Sequence, residues 1–591
     1  MKPGQLPWKW LLFGLLALLL FGISLIPWLI GDTSRFADRV AEKLSAWTGG
    51  KAKFTGPVQV SILPDISIRG PLELRGGTNL PLIKSMTVKE AKVSLDLVDL
   101  LRGQVSIDVL RLQKPRIKLK DRPAEKPAPS SILAGLLTGA PMRVLHVRNG
   151  RIDLGLYPIK DLYLRLDAGE ETGALSGTGS FAYKGETVRY AVETGSPKAS
   201  GGGESIPLTL ALNSAQATTK FAGTISFADA YRLDGKIQAA SGNLRGFLDW
   251  VNFDLPPGES LEAFSLTGSF HLGGGTLSVD DGAFSLDGNE AVGVLALSAS
   301  PRPRIDGTFA FDRLSLNPYL GMSNAVDPFR FDQALLRYFD ADLRISGGEI
   351  IVGPFKLGKG GFTITAKDGS VTAEVGELEL CGGSAEGRLN VELAPPVKKL
   401  SLNADLADIA LESCLKPLGL KAKLTGTGAL KAEIASKGNA LTEITRNLEG
   451  TFTLNARNGT FPIDFGQLAS ASMPLEANGW SGNGGSAYDK LKAECRLGSG
   501  RISCQRLIIE TPRESVAGKG AVDLPKQTLN WNFMVAKLVN PTMVSPAPGG
   551  GSPKLSIRGT LQQPLIRRMD RSTVGAGGLV PGASDEQTTP R

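Results

Sequence analysis

Histidine is nearly absent, with 2 in 591 residues. That leaves too few imidazoles for a His-based metal site or acid–base pair. Cysteine is scarce as well: 4 residues, without zinc-type spacing, exclude a disulfide-dense scaffold and a zinc cluster. Neither G-x-S-x-G nor H-E-x-x-H occurs. Gly353-Pro354-Phe355-Lys356-Leu357-Gly358-Lys359 approaches a phosphate-binding loop. Gly360, however, stands where Ser or Thr should reach magnesium, and the strand pattern Phe362-Thr363-Ile364 follows in place of a helix, so a hairpin turn is expected. His146 and His271 each sit in a strand pattern with no catalytic partner at motif spacing. Asp280-Asp281-Gly282 reads as a solvated turn. These absences point to a non-enzyme without cofactor or metal.

Glycine is plentiful by contrast, 72 residues against a usual share of ~7 %. It follows no collagen period, and a hydrophobic content of 42 % is too high for a disordered chain. The net charge of +8 is concentrated at one end. Residues 1–122 hold 19 Lys+Arg and 10 Asp+Glu, a balance of +9 that leaves −1 for the remainder. This excess adjoins the one long apolar segment, which favours a membrane surface over nucleic acid.

That segment, Trp10 to Gly31, has 22 residues and no charge. It is long enough to cross ~30 Å of hydrocarbon at ~1.5 Å per residue. Trp8, Trp10 and Trp28 stand at its ends as interfacial anchors, and Lys2 and Lys9 precede it. The positive-inside rule therefore puts residues 1–9 in the cytoplasm, makes 10–31 a transmembrane anchor and sends the rest outside. The rival reading is a cleaved signal peptide, whose apolar region would be shorter and would end in an A-x-A-like site.

Beyond the anchor the chain alternates with period 2. Val93-Ser94-Leu95-Asp96-Leu97, Val105-Ser106-Ile107-Asp108-Val109, Leu162-Tyr163-Leu164-Arg165-Leu166, Leu208-Thr209-Leu210, Leu389-Asn390-Val391 and Leu400-Ser401-Leu402 are examples. Each makes one apolar and one polar face, as in antiparallel sheets wetted on one side. Helices are expected only at Arg35–Trp47, Asn243–Val251, Asp332–Phe339 and Leu441–Leu448. A loose repeat, apolar-x-Gly-x-apolar, recurs around Gly223, Gly235, Gly268, Gly307, Gly450 and Gly559. Glycines placed so regularly suggest a sheet that curls the same way each time. The expected fold is mainly β: a transmembrane helix, then a long curled antiparallel sheet, open-grooved or solenoid-like, with a few short helices. The β regions are 32–260 and 261–565, and 566–591 is a polar, disordered tail.

One-sided strands must hide their apolar face. Leaving it in water costs ~25 cal/mol per Å². Two sheets packed together would do this, and so would a groove holding an apolar ligand such as acyl chains. In the second case Leu95, Ile107, Leu164, Leu210, Ile364 and Leu402 are candidate lining residues.

Cys495 and Cys504 bracket a hairpin-like segment and are expected to pair; Cys381 and Cys414 are the remaining two and could pair with each other. Four free thiols are the alternative, but an extracytoplasmic site favours oxidation. The separation of nine puts Cys495 and Cys504 on opposite faces of a plain strand. A turn or bulge at Gly498-Ser499-Gly500 must therefore reset the phase.

The run Ala91–Ile117, with Leu100-Leu101-Arg102-Gly103 at its centre, resembles the AsmA family. So do Leu314-Ser315-Leu316-Asn317-Pro318, Phe339–Ile345, Leu378–Gly383 and Leu448–Asp464. The resemblance covers most of residues 1–565; Cys381 stands where an aromatic is usual in the family. It implies an inner-membrane protein of Gram-negative bacteria facing the periplasm, with a role in outer-membrane biogenesis. It also implies similarity to bridge-like lipid transfer proteins, with inner-membrane phospholipids as partners. The alternative is a structural or regulatory factor that affects outer-membrane protein assembly through outer-membrane or periplasmic partner proteins. A glycan-active β-solenoid enzyme lacks a carboxylate constellation.

Overall fold

Phe36, Val40 and Leu44 recur at helical spacing, and the helix Thr33–Thr48 buries all three. Gly49, in the left-handed region at φ 62°, ends it. The computed structural model describes residues 33–569, apart from 63–64, 78–79, 81–82, 103, 121–141, 154–156, 170–173, 196–204, 227–231, 254–259, 300–301, 320–338, 394–395, 420–422, 440, 467–475, 481–484, 541–542 and 546–553. The expected span Trp10–Ile30 and the expected helix Asp332–Phe339, except its last residue, lie outside the described residues. Among the described residues no helix is long and apolar enough to cross a membrane.

The chain is mainly β, with few and short helices. It divides into two compact units. One holds the residues through Leu286, apart from Leu255–Ser260, together with Ala296–Ser298; the other holds the rest.

In the first unit the strands Ser67–Arg75 and Ile83–Leu95 pair antiparallel and carry the helix Thr33–Thr48 on their apolar face. Ile107–Gln113 pairs with Ile83–Leu95 on one side and runs parallel to Met142–Asp153 on the other. From there Met142–Asp153, Ile159–Ala168, Leu175–Tyr183, Glu186–Thr194, Ser205–Asn213, Thr218–Ser226, Arg232–Ser241, Phe264–Gly273 and Thr276–Leu286 follow in chain order, each antiparallel to the next. The repeated glycines fall where backbones close up. Gly223 faces Gly235, and a Cβ on Gly235 would lie 2.6 Å from the Cα of Gly223. The helix Leu244–Trp250, capped by the Asn243 side chain, interrupts one connection as expected.

The alternation through Val93 to Leu97 overruns the true strand, which ends at Leu95. Asp96 takes its place as a helix N-cap, its side chain accepting from the backbone N–H groups of Val98 and Asp99. Leu97–Leu101 is therefore a short helix, not the tip of a strand.

In the second unit Arg304–Ser315 runs parallel to Asp340–Val352. The chain then meanders antiparallel through Gly360–Lys367, Ser370–Leu380, Gly383–Glu392, Lys399–Ala410, Thr427–Lys437, Glu449–Phe461, Ser486–Gly498, Arg501–Glu510, Glu514–Asp523 and Thr528–Asn540. Gly353-Pro354 is a turn into the short strand Phe355–Leu357, which pairs back onto Ile350–Val352; the phosphate-loop look-alike is a hairpin. Lys554–Thr560 and Pro564–Met569 complete this unit. Residues 566–569, assigned above to the tail, belong to that last strand, and Ile566 is buried in its core.

Candidate functional site

Two-residue turns with positive φ set the register in the second unit. Asp368-Gly369 (φ 52° and 77°) joins Gly360–Lys367 to Ser370–Leu380. Cys381-Gly382 (φ 53° and 81°) joins that strand to Gly383–Glu392. Such turns match the natural twist of a hairpin and fix which residues stand opposite. The result is a row of aliphatic side chains, all large but one, crossing six strands. Leu343 faces Ile364, Ile364 faces Ala373, Ala373 faces Leu389, Leu389 faces Leu402, and Leu402 faces Ile434. A second row on the same face runs through Ile345, Phe362 and Val375 to Gly387.

These large side chains are half-buried, and none of them belongs to a buried apolar cluster among the described residues. The opposite face is polar. Glu374, Arg388 and Asn403 follow one another across it, and Arg388 Nη2 lies 2.7 Å from Glu374 Oε1. Lys431 Nζ donates to Asp405 at 2.7 Å, and that hydrogen bond and charge raise the Lys431 pKa. The ion-paired face is suited to water, so the half-buried aliphatic face is the one that gains from a cover.

Other apolar strand faces are covered by protein. Leu95 and Ile107 face each other and are buried with Phe36, Val40 and Leu44 under the helix Thr33–Thr48. They line a protein-filled core and leave no surface for a ligand. Near the other end of the chain, Phe461, Phe465 and Phe533 pack together, with Trp531 stacked on Phe533 at 5.8 Å. Leu164 and Leu210 are intermediate: each is partly buried against a core cluster of the first unit. Leu210 lies in its own row, between Val192 and Phe221. Ile364 and Leu402 are the two candidates that fall in one uncovered row. Leu343, Ile345, Phe362, Val375 and Ile434 belong with them. Their signal in the sequence was the same alternation, which names faces but not neighbours.

The cysteines brace this unit. Cys495 and Cys504 stand directly opposite, their Cα atoms 4.0 Å apart, and are joined. The turn is Ser499-Gly500, both with positive φ. Across a two-residue turn, opposed residues always differ by an odd number, so the turn alone resets the phase. The bulge lies just outside, between Glu494 and Cys495. Cys381, in its turn, joins Cys414 on the helix Leu411–Leu415, with Cα atoms 5.4 Å apart. This staples the helix to the strand ends beside that turn, where Leu411 is buried and Ala410 N–H donates to the Cys381 carbonyl.

His146 lies on the strand Met142–Asp153, where burial pushes its pKa down. His271 Nδ1 is 2.7 Å from Asp234 Oδ1 on an exposed surface.

Residues 322–507 match the AsmA family, a span that contains both aliphatic rows and all four cysteines. No curated protein matches the chain.

Proposed function

We propose that this AsmA-family chain holds lipid acyl chains against the aliphatic rows of its second unit. The family suggests an envelope protein with a lipid-related role; the finer reading is a phospholipid-binding or phospholipid-conducting groove that serves outer-membrane biogenesis. In this reading Trp10–Ile30 anchors the chain in the inner membrane and the β units lie in the periplasm. No residue is assigned a catalytic role. The observation that carries the reading is the row Leu343, Ile364, Leu389, Leu402 and Ile434, half-exposed opposite an ion-paired face.

The energetics agree with such a ligand. Each methylene removed from water contributes about 0.8 kcal/mol. An aliphatic row has no directional groups, so it recognises chain length and fluidity more than a headgroup. The test is native mass spectrometry of the full chain extracted in mild detergent. Bound phospholipid should be retained by the parent and by Asn403→Asp, and reduced in Leu402→Asp. Equal retention in both variants, or no lipid in the parent, would instead favour action through protein contacts.

A further inference from the structure

Leu97, Val98 and Leu101 are 50 %, 55 % and 67 % exposed, yet they sit on a well-formed, Asp96-capped helix. Leu100 alone turns inward, packing against the core beneath the helix Thr33–Thr48. Arg102 follows at once, exposed, its guanidinium 3.8 Å from Asp99. Three aliphatic side chains held outward by a cap, with a long cation at their rim, form a small apolar wedge on a charged surface.

We infer that this wedge, Leu97–Leu101, seats in the surface of the bilayer beside the anchor, as a second membrane contact of the first unit. The inference rests on the anchor part of the reading above. Its occupant is argued from where the preceding chain arrives. The uncharged run ends at Gly31, two residues before the helix Thr33–Thr48 begins. That helix finishes where Lys51 pairs with Arg75, at one end of the strand Ser67–Arg75. The wedge follows the other end, where Ser67 pairs with Ser94. Sixteen helical residues span about 24 Å, and nine strand residues about 30 Å. Phe36, Val40 and Leu44 share one buried cluster with residues along the length of these strands, from Ile66 and Leu95 at the wedge end to Leu72 and Val88, so the helix packs on them. Since the helix ends at the Arg75 end and packs on strands of similar length, we take its start to lie toward the wedge. The charge agrees: residues 32–122, on the wedge's side of the anchor, hold 17 Lys+Arg and 10 Asp+Glu, a balance of +7 that suits an anionic leaflet, and Arg102 is placed to reach phosphates while the aliphatic residues enter the acyl boundary.

The experiment uses the full chain in vesicles of phosphatidylethanolamine and phosphatidylglycerol. Single cysteines are introduced as Leu101→Cys, Ile30→Cys and Lys118→Cys, and nitroxide-labelled. Collision with oxygen is compared with collision with a water-soluble nickel chelate. Lys118 pairs with Ser85 near the Arg75 end and serves as the aqueous control. The inference expects the labels at 101 and 30 to favour oxygen and the label at 118 to favour nickel. If 101 behaves like 118 while 30 favours oxygen, the wedge is overturned and the anchor stands. If 30 also favours nickel, both are overturned.

Discussion

Leu389 and Leu402 face each other on adjacent antiparallel strands, and both remain half-exposed. In most folds a pair of opposed leucines marks a core. Here no second layer among the described residues covers them, whereas in the first unit Leu95 and Ile107 are buried with the helix residues Phe36, Val40 and Leu44, and within the second unit an aromatic cluster forms around Phe465. Function is read from that contrast along one chain.

The disulfides make a stability prediction. Cys495–Cys504 closes a loop with a sequence separation of 9, and Cys381–Cys414 one of 33. Restricting the unfolded chain by loops of these lengths contributes about 2.5 and about 3.7 kcal/mol. Peptide mapping without reduction should recover these two links. Cys381→Ser should then lower the unfolding midpoint more than Cys495→Ser. Free thiols in protein from the oxidising compartment, or a crossed link between Cys381 and Cys495, would contradict this arrangement.

Acid should loosen the first unit through Asp65. Its Oδ2 accepts from Ser94 at 2.6 Å and its Oδ1 from Lys92 at 2.9 Å, and these bonds hold its pKa below the usual carboxylate value. A carboxyl depressed in the folded state stabilises fully above its unfolded pKa, ~3.9, and loses that contribution as pH falls through the folded value. Asp65→Asn should cost about 1 kcal/mol at neutral pH and flatten the stability profile below about pH 4. Parallel profiles for parent and variant in urea melts from pH 2 to 7 would count against the assignment.

Topology is tested by reporters placed after residue 60. A phosphatase that works only outside the cytoplasm should be active there, since Lys2 and Lys9 precede the uncharged run. An active cytoplasmic reporter at the same point would reverse the orientation.

Much of the strand content was legible because alternation and turn glycines act locally. The helix Thr33–Thr48 announced itself by the spacing of Phe36, Val40 and Leu44. What it covers did not, so Leu95 and Ile107 looked like surface for a ligand. Period 2 states that two residues share a face, but only register states that Leu402 touches Leu389 and Ile434. Register depends on hairpin turns such as Cys381-Gly382, where a cysteine in the left-handed region gives little local warning. The strand ending at Leu95 was misjudged because Asp96 reads equally as an outward strand residue and as a cap.

Site-specific photocrosslinking in the membrane of growing cells tests the lipid-bearing face most directly. A benzophenone side chain at position 402 or, separately, at 403 samples the two faces of one strand without adding charge. The account predicts phospholipid adducts at 402 and none at 403. Equal labelling at both positions, or none at 402, would contradict it.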